Sequence, residues 1–462
     1  MSPEFCISLS VVTRPGPVRP VVSSESFDPL SGETMRGGLY LAGRYGLGMV
    51  VSLGNMLVMT WWIGPHAYGL FVTAIGLVTF LAALARGGVD TYLVRNPLSP
   101  EDRIYGTATT LILSASIALA MMAAATTPLL IRWYGSVEFV RPYLVLLLTV
   151  PISGITGVSM AKLERDLDFR TIAAIELAGQ SLGLIVATLL AWSRAGVWAP
   201  VIGQIAWQTF TLAASGRSAS LAFRLHFDCG QAREMLSYGI GLTASLRTWQ
   251  LRTLVNPLLV ARFAGAEAVA FVALALRIAE ALGTIRLVSG RMAIAALGKL
   301  QDRQEQFRKT LERALYVQVI TLGPLLCGFA LAGPLVLSRI AGARWMPSLV
   351  IYPFVAAGVL VNSVYNLQAS ALFVLGKQWV VMQAYTIHVA LLALTTIVLL
   401  PRFGIVGYGW AEVIACASYV AIHAGLQRCV AISYRRLVPS LAVFVPCLFL
   451  APISARVLRM VH

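Results

Sequence analysis

A chain of 462 residues that is 58% hydrophobic and only 12% charged is not a soluble domain, since soluble domains carry roughly 25% charged residues. Its net charge of +16 does not mark a nucleic-acid binder either, because the Lys and Arg punctuate apolar runs and form no continuous hydrophilic region. The six cysteines (Cys6, Cys229, Cys327, Cys416, Cys429 and Cys447) show neither metal-binding nor redox spacing, so no metal and no cofactor is expected.

Residues 1–36 contain Pro, Ser and Arg but no apolar run of signal-peptide length, and they read as a disordered cytoplasmic leader, with Met35 an alternative start. From residue 37 onward, apolar runs of about 20 residues, the length that crosses a hydrocarbon core, recur nearly to the end. They predict helices at 38–62, 67–88, 104–127, 138–161, 172–193, 196–216, 236–261, 266–290, 313–335, 348–371, 378–400 and 405–426. A last run, 438–455, contains Pro439, Pro446 and Pro452 and either spans or lies in the interface. Segment 299–313 sets Phe307, Leu311 and Ala314 at helical spacing among charges and reads as an amphipathic helix on the cytoplasmic leaflet. Trp61, Trp62, Trp133, Tyr134, Trp192, Trp198 and Trp345 fall near helix ends on the proposed outer side and read as an interface belt.

Charge in the loops sets the orientation. With the N-terminus inside, the inner segments hold 20 Lys and Arg, against 7 in the outer loops (Arg132, Arg141, Arg194, Arg262, Arg339, Arg344 and Arg402). The positive-inside rule then places the N-terminus in the cytoplasm.

The chain also repeats. A shift of 201 lays Asn55 on Asn256, Gly64 on Gly265, Ala67 on Ala268 and Ala74 on Ala275; a shift of 208 lays Gly196 on Gly404 and Gln204 on Glu412. The fold class is therefore an all-α polytopic membrane protein with two six-helix halves around a central cavity and twelve transmembrane helices, thirteen if 438–455 crosses. The divisions are the N-terminal half 37–216, a cytoplasmic linker 217–235, the C-terminal half 236–430 and the short apolar segment 431–462. Transporters are often built from such repeats, with the substrate between them.

Inside the spans, Arg outnumbers acid. A charge at bilayer depth costs about 2.5–3.5 kcal/mol on insertion scales and so faces a protein interior or a wet cavity. Arg247, Arg252 and Arg277 lie well within spans, whereas Arg44, Arg86, Arg286 and Arg291 are nearer helix ends, where snorkelling is the competing reading. Arg247 and Arg252 are five residues apart, about 140° around a helix, and the sequence does not choose which faces a narrow site. Glu280, three residues from Arg277, shares its face and is its expected partner. Glu412 is a candidate for cation coupling or for a helix–helix bond, and Glu176, His388 and His423 are the other ionisable groups in helices.

Gly64-Pro65-His66-Ala67-Tyr68-Gly69-Leu70-Phe71, with Gly87-Gly88 and Arg95, resembles the opening helix pair of the polysaccharide (O-antigen and exopolysaccharide) transporter family. Those are the Wzx-type flippases of the multidrug/oligosaccharidyl-lipid/polysaccharide superfamily. Leu163 to Arg170 resembles that family's loop after helix four, and Leu297-Gly298-Lys299-Leu300 with Phe307, Arg308 and Leu311 resembles its loop after helix eight. Where the family commonly has a proline before that loop, this chain has Ala293-Ile294-Ala295-Ala296.

The resemblance implies a transporter rather than an enzyme. It implies translocation of a polyprenyl-diphosphate-linked oligosaccharide across the bacterial inner membrane for exopolysaccharide or surface polysaccharide assembly, by alternating access. The substrate would be the lipid-linked oligosaccharide, and the partners membrane lipids and the polymerase and glycosyltransferases of the same pathway. Arg suits a diphosphate because it is always charged and presents a planar fork of donors. With the cavity placed between helices one, two, seven and eight, Arg252, Arg277, Arg247, Arg44 and Arg86 are the candidate substrate-binding residues, and Glu280 and Glu412 the pairing or coupling carboxylates. The rivals are a cation-coupled multidrug antiporter of the same superfamily and a membrane polymerase or ligase. The short outer loops, without paired carboxylates, argue against the enzyme.

Overall fold

The computed structural model describes residues 32–95, 102–221, 226–284, 286, 296–301 and 303–460. Two units divide the chain, Met1–Gly43 and Arg44–His462. In the first, residues from Gly32 are helical, and most of the expected leader lies outside the described residues. The second unit holds every other helix and both cavities.

Every described element is helical. In chain order these are α1 (Gly32–Arg86), α2 (Val89–Arg95), α3 (Asp102–Ala125), α4 (Thr127–Tyr134), α5 (Val140–Leu147), α6 (Thr149–Arg165), α7 (Phe169–Trp192) and α8 (Trp198–Ser218). The second half runs α9 (Cys229–Gln250), a 3-10 turn (Leu251–Leu254), a π-turn (Asn256–Val260), α10 (Ala261–Leu282), α11 (Gln304–Ile340) and a 3-10 turn (Ala343–Trp345). It continues with α12 (Ser348–Val374), α13 (Gln378–Phe403), α14 (Ile405–Ala415), α15 (Tyr419–Gln427) and α16 (Leu437–Met460). Among the described residues nine helices are long and apolar enough to cross a membrane.

The repeat is written in the backbone. α1 breaks at Gly64 (φ 73°, ψ 169°) and α10 at Gly265 (φ 81°, ψ 176°). This is a region essentially restricted to glycine, so each break sits where the sequence supplies a residue without a Cβ. The correspondence recurs at Gly135 and Gly342 (φ 67° and 85°) and at Gly196 and Gly404 (φ 59° and 57°). Both halves therefore turn at matching places.

The halves meet near Gly64 through polar contacts to backbone. Tyr134 Oη donates to the Pro257 carbonyl at 2.8 Å and Trp133 Nε1 to the Leu258 carbonyl at 2.9 Å. Both acceptors belong to the π-turn. At the Gly87 end, Tyr92 of α2 packs edge-on against Tyr238 of α9, with ring centroids 5.6 Å apart.

Several expected boundaries change. The amphipathic segment 299–313 is not a separate surface helix: from Gln304 it is the first part of α11. Phe307, Leu311 and Leu315 continue without interruption into the buried stripe Val319, Leu322 and Leu326, so nothing breaks the helix. The run 138–161 divides into α5 and α6, and 405–426 into α14 and α15 around a 3-10 turn. Run 438–455 forms α16, a full 24-residue helix against α11, where Phe444 occupies the space a side chain at Gly323 would need. Trp345 is not an interface residue. It is fully buried and donates Nε1 to the Thr60 carbonyl at 2.8 Å, whereas Trp61, Trp62, Trp133 and Trp192 are exposed.

Candidate functional site

Two cavities share a wall. One, of about 320 Å³, lies between α1, α7, α8 and α10 and is lined by Asn55, Met56, Tyr68, Gln180, Gln204 and Arg277 among others. The second, of about 500 Å³, is bounded by Arg86, Asp90, Arg95, Glu164, Glu176 and Gln208 and lies toward the Gly87 end. Gln180 and Trp207 line both, so the two volumes adjoin.

The repeat explains how one arginine reaches the wall. At a shift of 201, Arg277 stands where the first half has Gly76. Gly76 lies against the ring of Pro257, and a Cβ there would be 3.1 Å from Cγ, tight enough that the ring would have to give way. Position 56, the counterpart of Pro257, is Met56, a flexible side chain that lines the same cavity as Arg277. One seam is thus filled by proline against glycine, and the other holds a cation beside open space. Arg277 is exposed, and among the described residues no carboxylate forms an ion pair with it. Its expected partner Glu280 is also exposed and is not bonded to it. Sharing a helix face at three-residue spacing permits a pair without requiring one.

Arg252 has a different role from Arg277. Its Nη2 lies 3.0 and 2.9 Å from Oε1 and Oε2 of Glu412, whose other neighbour is the Tyr408 hydroxyl, donating to Oε1 at 2.6 Å. Its guanidinium sits 5.4 Å from the ring centre of Trp249, and it lines neither cavity. The Glu412 side chain is 3% exposed. Alongside, His388 Nδ1 lies 3.0 Å from the Ala415 carbonyl and its ring stacks on Tyr419, 5.0 Å away. Arg286 donates to Asn362 at 3.1 Å, and Asn362 donates to Tyr419 Oη at 2.6 Å. This is a polar network in the second half that lines neither cavity, and within it Arg252 Nε and His388 Nε2 have no hydrogen-bond partner among the described residues.

Arg86 borders the second cavity, its stem against Gly157. The side chains of Arg44 and Arg247, and the whole of Arg291, lie outside the described residues. Of the five candidate arginines, the structure brings Arg277 and Arg86 to the adjoining cavities and sets Arg252 apart in an ion pair.

Sequence reasoning passed over the wall opposite Arg277. On α7, Glu176, Gly179, Gln180 and Gly183 recur at helical spacing, as do Gln204, Trp207, Gln208 and Thr211 on α8. The signal was present: α8 has 21 residues yet is not among the helices apolar enough to cross, because the glutamines and threonines dilute it.

Comparison with known proteins agrees with this architecture. Residues 58–350 match the family model for polysaccharide biosynthesis proteins. The chain is 22% identical over 291 residues to the succinoglycan biosynthesis transport protein ExoT of Rhizobium meliloti (strain 1021), a match covering 61% of this chain and 57% of that protein. Its structure is similar to the lipid II flippase MurJ in an inward closed conformation, with a TM-score of 0.76 and 14% identity over 90% of this chain and 93% of that one. It is also similar to an inward-facing multidrug-resistance MATE transporter of the MOP superfamily, with a TM-score of 0.63 and 15% identity over 82% and 93% of the two chains. The chain belongs to the polysaccharide biosynthesis protein family, on the fold of the multidrug/oligosaccharidyl-lipid/polysaccharide transporters.

Proposed function

We propose that this protein is a flippase that carries a polyprenyl-diphosphate-linked oligosaccharide across the bacterial inner membrane for exopolysaccharide or surface polysaccharide assembly. The observation that carries this reading is Arg277, a cation without an acidic partner among the described residues, on the wall of a cavity between the halves. A cation at bilayer depth is tolerated where an anion visits it, and a diphosphate suits a guanidinium fork. Arg86, in the adjoining cavity toward the Gly87 end, is a second station for the same group.

With the N-terminus in the cytoplasm, the Gly87 end faces the donor leaflet and the Gly64 end the receiving one. Rocking of one half against the other alternates access between them. The similarity to a protein named for succinoglycan biosynthesis transport supports the substrate class. The pathway's polymerase and glycosyltransferases are the partners this reading implies.

The test is lipid extraction from a strain lacking the gene, complemented with wild type or with R86A/R277A, and mass spectrometry of polyprenyl-linked sugars. Accumulation in the deletion, cleared by wild type but not by the expressed double variant, supports the reading. Normal lipid pools and normal polymer in the deletion overturn it and favour the cation-coupled multidrug antiporter.

A further inference from the structure

The wall facing Arg277 is polar, aromatic and chemically unused. On α7 and α8, Gln180, Gln204, Trp207 and Gln208 border the adjoining cavities. Gln180 on α7 and Asn55 on α1 both line the first cavity, and their buried amide oxygens accept no hydrogen bond among the described residues. The cavity linings themselves hold the amides of Asn55, Gln180, Gln204 and Gln208, a set of donors and acceptors that matches a ligand rich in hydroxyl groups. The Trp207 indole is set in place by Gly179: a Cβ at that position would lie 2.7 Å from Cδ1 of the ring and 3.2 Å from Nε1. Any other residue at 179 would force the ring and the Thr211 hydroxyl to shift.

We infer that Gln180, Gln204, Trp207 and Gln208 form the sugar-recognition subsite, with Arg277 across the cavity holding the diphosphate. This rests on the flippase reading above and divides the cargo between the halves. Amides both donate and accept, matching sugar hydroxyls in either sense, and an indole offers an apolar face with one N–H at its edge. None of the four side chains carries a charge, so the subsite discriminates among sugars by hydroxyl position. Helix α8 is the specificity-determining element.

The experiment uses the full chain in lipid nanodiscs with two probes: the lipid-linked oligosaccharide extracted from the deletion strain, and bare undecaprenyl diphosphate. Native mass spectrometry in competition gives the preference for the glycosylated lipid. The double variant Q204L/W207A is expected to lower that preference about tenfold, the loss of one or two hydrogen bonds, with bare-lipid binding unchanged. R277A is expected to weaken both probes alike. W207F, which keeps an aromatic ring and removes the N–H, gives a partial loss and serves if the double variant does not fold. A preference unchanged in Q204L/W207A or W207F overturns the sugar subsite, as does a wild-type protein that binds both probes equally. A wild-type protein that binds neither overturns the flippase reading itself.

Discussion

Arg252 and Glu412, 160 residues apart in sequence, close an ion pair of 2.9 Å within the second half, with the Tyr408 hydroxyl on the same carboxylate. Because the pair is enclosed, removing one partner leaves a charge without compensation. R252A or E412A is expected to lower stability by about 3–5 kcal/mol, whereas the apolar double replacement R252M/E412L is expected to be near neutral. Thermal unfolding in detergent, followed by intrinsic fluorescence, reads both. If R252M/E412L also retains lipid clearance in the complementation assay, the pair is a strut and not a substrate contact.

The Gly64 end tests the alternation of access. Tyr134 and Trp133 hold the π-turn by one hydrogen bond each. Deleting one hydroxyl removes about 0.5–1.5 kcal/mol, enough to shift a two-state equilibrium up to about tenfold. In a cysteine-free background bearing M59C, a position on the cavity wall that is 2% exposed, Y134F is expected to raise labelling by an impermeant maleimide added from that side. Equal labelling with and without Y134F would mean that this seam does not gate the cavity.

Gly64 and Gly265 should be irreplaceable for backbone reasons. No atom lies within 4 Å of a Cβ at either position, so space is not the obstacle. The dihedral angles are: G64A and G265A are each expected to cost about 1–3 kcal/mol. Denaturation of each single variant, compared with G54A, an ordinary helical glycine that is equally open, separates conformation from packing.

At the start of α7, the Thr171 hydroxyl and backbone N–H hold the Asp168 carboxyl below the usual carboxylate range. A depressed folded-state pKa means that this cap contributes above the ordinary aspartate pKa and is lost as pH falls through the lowered value. D168A is therefore expected to lower the melting temperature at pH 7 and to make little difference at pH 2–3. D168N, which still accepts the Thr171 N–H, should retain most of the capping at neutral pH.

Spans and repeat were legible because both rest on local rules. A run of apolar residues must cross or be buried, and Gly64 and Gly265 announce matching breaks. The ion pair was not legible. Arg252 and Glu412 are both visible as charges in apolar helices, but which charge meets which depends on tertiary packing that brings α14 within side-chain reach of the 3-10 turn at Leu251–Leu254. The same holds for Trp345, near a helix end by position yet enclosed by Tyr68 and Phe271. The α8 stripe lay in plain view, but glutamines in a helix that is barely apolar suggest a weak span before they suggest a wall.

The low apolarity of α8 also governs how the chain enters the bilayer. By length and composition α7 is apolar enough to cross a membrane and α8 falls short, and the two helices pack extensively against each other. Only Ser193 to Val197 separate them. Their packing and short connection suit insertion as a hairpin, in which α8 shelters its glutamines against α7. The brevity of that turn thus keeps α8 beside its shelter before any cargo is met.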